Sequence, residues 1–131
     1  IPAGAGVSYG HRFIAQRPMT IAVVGIGYAD GIPRQLSNQL NVLIDDRPIR
    51  QIGAITMDQL MLDISDSHDL QEGDIVTLLG RSPSQQITAD DWANRIGTIS
   101  WEILCGFKHR LPRIMTRNNG RKLYRAEDSL L

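Results

Sequence analysis

Apolar residues run unbroken from Ile21 to Val24, resume at Ile26, and stop at the glycine-rich stretch Gly27-Tyr28-Ala29-Asp30-Gly31. The run is too short for a membrane span and too rich in β-branched residues for a favoured helix, so it reads as a buried strand. Asp30-Gly31 supplies a turn, because glycine takes positive φ without steric cost, and Pro33 ends strand pairing by removing a backbone donor. The loop so formed is expected to hold Tyr28, Asp30 and Arg34 near one another at the strand's mouth, a common place for a ligand site. A plain surface loop fits the same residues equally well.

The remaining pattern is mostly of period two. Val7 to Ala15 alternates as a strand, with Val7, Tyr9, His11 and Phe13 on one face. Read alone, Tyr9 is better taken as a packed tyrosine with a bonded hydroxyl than as a site residue. Leu40 to Ile44 and Pro48 to Thr56 flank Asp45-Asp46-Arg47 as a hairpin. Leu60, Leu62 and Ile64 then share one strand face, with Met57 and Asp58 at its entrance. There the residues favour a gap-filling methionine and an aspartate bonded to local backbone. Ile75 to Gly80 reads as another strand.

At Thr88 the period changes. Ala89, Trp92, Ala93 and Ile96 form one helical stripe, with Asp91 placed for a capping box and Gly97 as the stop. Thr98 to Cys105 reads as a second short helix capped by Thr98, with Trp101 and Cys105 on one face. Arg110 to Met115 is strand-like but held to an edge by Pro112. From Asn118 onward the chain is polar and expected to be loosely held. The pattern therefore predicts a mainly β domain over residues 1–117, a small barrel or sandwich with a short helical hairpin near its C-terminus, followed by a polar tail over 118–131.

Composition narrows the function. Fourteen basic residues balance fourteen acidic ones, so bulk charge points to neither nucleic acid nor an anionic membrane. Only Lys108 and Lys122 are lysines; the arginines that make up the rest suit fixed, planar pairing with carboxylates. One cysteine, Cys105, permits no intrachain disulfide and fits a reducing, cytoplasmic compartment. No run approaches the roughly 20 apolar residues of a membrane span, and no secretory signal opens the chain. A start at Ile1 rather than methionine reads as a piece of a longer protein. His11, His68 and His109 are scattered singly, so no metal site is expected, and no phosphate loop or dinucleotide fingerprint is present. What remains is tyrosine, arginine and aspartate chemistry. An ordinary phenol, with a pKa of about 10, needs a nearby cation to act as a base at neutral pH.

Val7-Ser8-Tyr9-Gly10, Ile26-Gly27-Tyr28-Ala29-Asp30-Gly31, Thr56-Met57-Asp58-Gln59, and Thr98-Ile99-Ser100-Trp101-Glu102 through Arg110-Leu111-Pro112-Arg113 occur in this order. Together they resemble the carboxy-terminal β domain of alanine racemases, over nearly everything from Ile1 to about Arg117. The resemblance implies a separate amino-terminal barrel that holds pyridoxal phosphate on a lysine. Neither Lys108 nor Lys122 matches that lysine, so the cofactor is not bound covalently by this chain.

The resemblance further implies that Tyr9 is the catalytic base and acid on the L face of the amino acid, entering the partner's site across a head-to-tail homodimer. Met57 would offer its backbone N–H to the substrate carboxylate, and Tyr28 would form the inner gate. Arg34 and Ile99 would stand farther along the entry corridor, with Asp58 a structural neighbour and His11 an ordinary strand residue. Two positions depart from the family. Trp101 stands where a tyrosine hydroxyl helps to hold the cofactor phosphate and lines the gate, and Ala54 replaces a corridor arginine. The implied activity is interconversion of L- and D-alanine for peptidoglycan, with the fragment alone inactive. A racemase of broader specificity, acting for example on serine, and a non-catalytic dimerisation or ligand-binding module stay open as alternatives.

Overall fold

The structure is a computed structural model that describes residues 1–116 and 122–125. It is mainly β, with two short helices near the C-terminal end. Its centre is a four-stranded antiparallel sheet built from β3 (Ile21–Val24), β4 (Asn41–Ile44), β5 (Arg47–Ile52) and β6 (Leu60–Asp63), in the spatial order β3-β6-β5-β4. Leu60 and Leu62 point into the core and are fully buried, while Met61 and Asp63 are half-buried on the other face, as period-two alternation requires. Asp45 and Asp46 both take positive φ, 47° and 62°, which is the two-residue turn whose twist matches a β-hairpin.

The first hairpin differs from the expected single strand. Gly6–Val7 (β1) pairs with Phe13–Ile14 (β2), and between them Tyr9–His11 forms a 3-10 turn. Ser8, Gly10 and His11 have φ of 62°, 68° and 45°, so the chain reverses here and cannot continue an alternating strand. Tyr9 and His11 are consequently exposed rather than aligned with buried Val7.

The strand expected over Ile75 to Gly80 is likewise reduced. Thr77 alone bridges Leu43, through two 2.8 Å backbone bonds, and Gly80–Arg81 (β7) pairs with Gln86–Ile87 (β8) instead.

Ala89–Ile96 (α1) is capped at Thr88, whose hydroxyl accepts from the Asp91 N–H while the Asp91 carboxylate accepts from the Thr88 N–H at 2.7 Å; Gly97 ends it at φ 73°. The second helix, Ser100–Cys105 (α2), has Ile99 rather than Thr98 at its N-cap position and has no side-chain cap. Thr98 is instead tied back to Ala93 through its own N–H. Trp92 and Ala93 of α1 and Ile103 of α2 complete a core with Ile32, Leu36 and Leu60, and a smaller cluster of Val7, Ala15, Met19 and Ile52 lies under the first hairpin. Ile114–Thr116 (β9), beyond Pro112, pairs with Lys122–Arg125 (β10), with a bulge between Lys122 and Tyr124. The rest of the polar tail expected from Asn118 lies outside the described residues.

Candidate active-site face

One loop, Gly53 to Gln59, joins the two turns that carry the candidate tyrosines. On one side the Ser8 hydroxyl donates to the Ala54 carbonyl at 2.7 Å. Gly53, at φ 76°, packs so closely under this turn that a Cβ there would lie 2.8 Å from the Val7 carbonyl oxygen. On the other side, the N–H of Tyr28 donates to the Thr56 carbonyl at 2.9 Å and that of Ala29 to the Met57 carbonyl at 3.0 Å. Tyr28–Asp30 is a 3-10 turn, so successive N–H groups there point outward to make these bonds.

These bonds orient Met57. Every described peptide is trans, so the N–H of Met57 points opposite to the Thr56 carbonyl of the same plane. That carbonyl faces Tyr28, and the Met57 N–H is therefore turned away from the Tyr28 backbone. Among the described residues it has no hydrogen-bond partner. Met57 is 52% exposed, so its side chain fills no gap, and Asp58 bonds Arg110 rather than nearby backbone. Both local expectations fail for one reason: at Thr56 and Met57 the loop is held to the Tyr28 turn by its carbonyls, which leaves the side chains of Met57 and Asp58 outside.

Tyr9 is 76% exposed and its hydroxyl makes no hydrogen bond among the described residues, which overturns the reading of a packed tyrosine. Tyr28 and Arg34 line a groove of about 260 Å³ together with Glu102 and Lys108, so the strand mouth does bring Tyr28 and Arg34 together. Asp30 does not join them there. It is buried, and its carboxylate accepts the Gly27 N–H at 2.9 Å. Gly31, at φ 115°, packs on the backbone of Gly106 and Phe107 and so docks the Tyr28 turn against the end of α2.

Ile99 caps α2 and Trp101 lies in its first turn. Helix α2 is anchored by Ile103, and Trp101, two residues or roughly 200° away on the helix, stands on the outer side and is exposed. Trp101 thus presents its indole N–H, a single donor, to whatever covers this face.

Sequence reasoning missed the side chains that hold the loop. Gln51, fully buried, accepts from the Asn38 N–H at 2.8 Å and donates to the carbonyls of Ile52 and Gly53. Asn38 accepts from the Gly53 N–H at 2.7 Å and donates to the Arg12 carbonyl beyond Tyr9. The Ser37 hydroxyl accepts from the Ile55 N–H and donates to the Arg34 carbonyl. The one signal available was Gln51 itself, a polar residue at an inward position of a strand.

Residues 1–115 match the family described as "Alanine racemase, C-terminal domain". The chain belongs to that family. It is 65% identical over 115 residues to an alanine racemase of Synechocystis sp., and 67% identical over 114 residues to one of Nostoc sp.. These alignments cover 88% and 87% of this chain but only 31% and 30% of the relatives, so the chain spans less than a third of their length. Among solved structures, the alanine racemase of Bacillus anthracis with bound L-Ala-P superposes with a TM-score of 0.87 at 35% identity, over 95% of this chain and 31% of that one. The racemase of Clostridium difficile in complex with cycloserine gives 0.86 at 37% identity, over 95% and 32%. The racemase C-terminal fold is therefore the mainly β fold described above. Among the described residues no helix is long and apolar enough to cross a membrane, and no group of three or more potential metal ligands occurs.

Proposed function

We propose that this domain completes the active site of a pyridoxal-phosphate alanine racemase that interconverts L- and D-alanine for peptidoglycan. The observation that carries the reading is the N–H of Met57, turned away from the Tyr28 backbone and without a partner among the described residues, held on the same loop that fixes the turns of Tyr9 and Tyr28. A backbone donor with no partner of its own suits the carboxylate of an amino acid, and the loop's carbonyl bonds keep it aimed without reorganisation.

Tyr9 takes and returns the Cα proton on the L face. Its exposure and its short turn let it project into a neighbouring subunit's site, consistent with a head-to-tail homodimer. Tyr28 narrows the approach, and Arg34 and Ile99 stand farther out along it. The cofactor, when bound by the barrel domain, draws off the charge left at Cα, which is why one positioned base on each face suffices. Toward the cofactor phosphate this chain offers the exposed Trp101 N–H, a weaker and differently placed anchor than a tyrosine hydroxyl. The domain alone, lacking the barrel, is inactive.

Racemisation of L- and D-alanine and deuterium uptake at Cα are measured on the full-length protein and its Tyr9→Phe variant. Loss of proton transfer on the L side with cofactor content unchanged is the expected result. A variant as active as the wild type would mark the domain as a non-catalytic dimerisation or binding module.

A further inference from the structure

Arg110 touches both the Tyr28 turn and the loop that carries Met57. Its guanidinium bonds the Asp58 carboxylate, one residue past Met57, and its Nε lies 3.4 Å from Asp30 Oδ1, two residues past Tyr28. The two partners differ. The Asp30 side chain is only 7% exposed and spends its other oxygen on the Gly27 N–H, whereas that of Asp58 is 56% exposed. Asp30 is thus the buried post, and Asp58 is the exposed end that Arg110 ties to it. The hydrogen bond that Arg110 donates to Asp58 first, and then the charge of Asp30, push the Arg110 pKa up, so the guanidinium stays charged. A planar guanidinium can serve two carboxylates at once in a way that an ammonium cannot.

The peptide planes between these anchors are those of the binding loop. The Thr56 and Met57 carbonyls are bonded to Tyr28 and Ala29, and Asp58 closes the loop onto the same turn through Arg110. Without the bridge, the Met57 plane keeps its bonds to Tyr28 and Ala29 and the Thr56–Gln59 turn around it, but the Asp58 end loses its tie to the Tyr28 turn. We infer that Arg110 is a positioning residue for the substrate carboxylate, setting the direction of the Met57 N–H by tying Asp58 to Asp30. This rests on the reading of Met57 proposed above and assigns Arg110 and Asp58 a role in it.

The test uses the full-length protein loaded with pyridoxal phosphate, and measures kcat and KM for alanine in both directions, the inhibition constant of propionate as a bare carboxylate, and thermal unfolding. Asp58→Asn removes the exposed end of the bridge and leaves Asp30 paired. KM and the propionate constant should rise together about tenfold with kcat changed less than about threefold, since a misdirected donor loses binding common to ground and transition states. Arg110→Gln should show the same split more strongly, and Arg110→Lys should recover part of it. If Arg110→Gln fails to fold, Asp58→Asn decides. A wild type that racemises alanine while Asp58→Asn leaves KM and the propionate constant unchanged, or lowers kcat alone, overturns the positioning role and leaves the racemase reading standing. A wild type that does not racemise alanine overturns both.

Discussion

Gly27 lies directly beneath Met57, so close that a Cβ on Gly27 would fall inside the carbonyls of Thr56 and Met57. Its φ of −151° is ordinary extended backbone, so the demand for glycine here is one of space and not of conformation. The obstructing atoms are main chain and cannot rotate away. Gly27→Ala should therefore destabilise the domain by about 1–3 kcal/mol and misplace the binding loop. Gly25→Ala, where nothing lies within 4 Å, should stay within about 0.5 kcal/mol of the wild type. Urea unfolding of the two variants side by side checks the contrast, and equal losses would refute the packing argument.

Gln51 is the hidden support of the same loop. Gln51→Leu keeps the volume but strands the buried carbonyls of Ile52 and Gly53 and the half-buried Asn38 N–H. Each such group costs about 1–3 kcal/mol, so a loss of at least about 3 kcal/mol is expected. Faster hydrogen exchange at the Gly53 and Asn38 amides should accompany it, because the link between β5 and the Tyr9 hairpin is cut. Unchanged exchange at both amides would argue that the network holds nothing.

Asp46 should make stability depend on acid. The hydroxyl of Ser82, then the hydroxyl and N–H of Ser84, hold its pKa down to about 2. An unfolded aspartate titrates at about 3.9, so the folded state favours the carboxylate. The stabilisation is complete above the unfolded value and is lost as the pH falls through about 2. Thermal unfolding from pH 6 to pH 2 should show the wild type losing its advantage over Asp46→Asn across this window. A constant difference would show that the contacts do not discriminate between the two protonation states.

Tyr9 should separate stability from activity. Exposed, and with no hydrogen bond from its hydroxyl among the described residues, it can become phenylalanine with a change in stability of about 0.5 kcal/mol or less, whereas racemisation by the full-length protein should collapse. A large fall in melting temperature would return Tyr9 to a packing role.

Trp101 should affect cofactor retention without affecting folding, being exposed on the outer side of α2. Trp101→Tyr restores a terminal hydroxyl at the tip of the side chain, and slower loss of pyridoxal phosphate on dialysis of the full-length protein is expected. Equal rates of loss would show that the indole serves as well.

The central sheet was legible because Leu60 and Leu62 alternate with Met61 and Asp63, and because Asp45-Asp46 can take the positive φ of a hairpin turn. The first helix was legible through Thr88, Asp91 and Gly97, whose capping chemistry is local. The Tyr9 hairpin was not. Val7, Tyr9, His11 and Phe13 alternate as a strand would, yet the positive φ of Ser8 and His11 depends on Ser8 reaching Ala54, a residue 46 positions away. The start of α2 was misread locally: Thr98 closes the end of the preceding helix through its N–H on Ala93, and Ile99 takes the N-cap place.

The sequence by itself determined the strands and helices whose signals lie within a few residues, the motifs that mark the racemase C-terminal family, and Tyr9, Tyr28 and Met57 as the residues to examine. Only the tertiary structure decided that Tyr9 is exposed, that the Met57 N–H is turned away from the Tyr28 backbone with no partner among the described residues, and that Gln51 and Asn38 brace the loop while Arg110 bridges Asp58 and Asp30. Each of these facts comes from hydrogen bonds or ion pairs between segments distant along the chain, and periodicity carries no information about such partners.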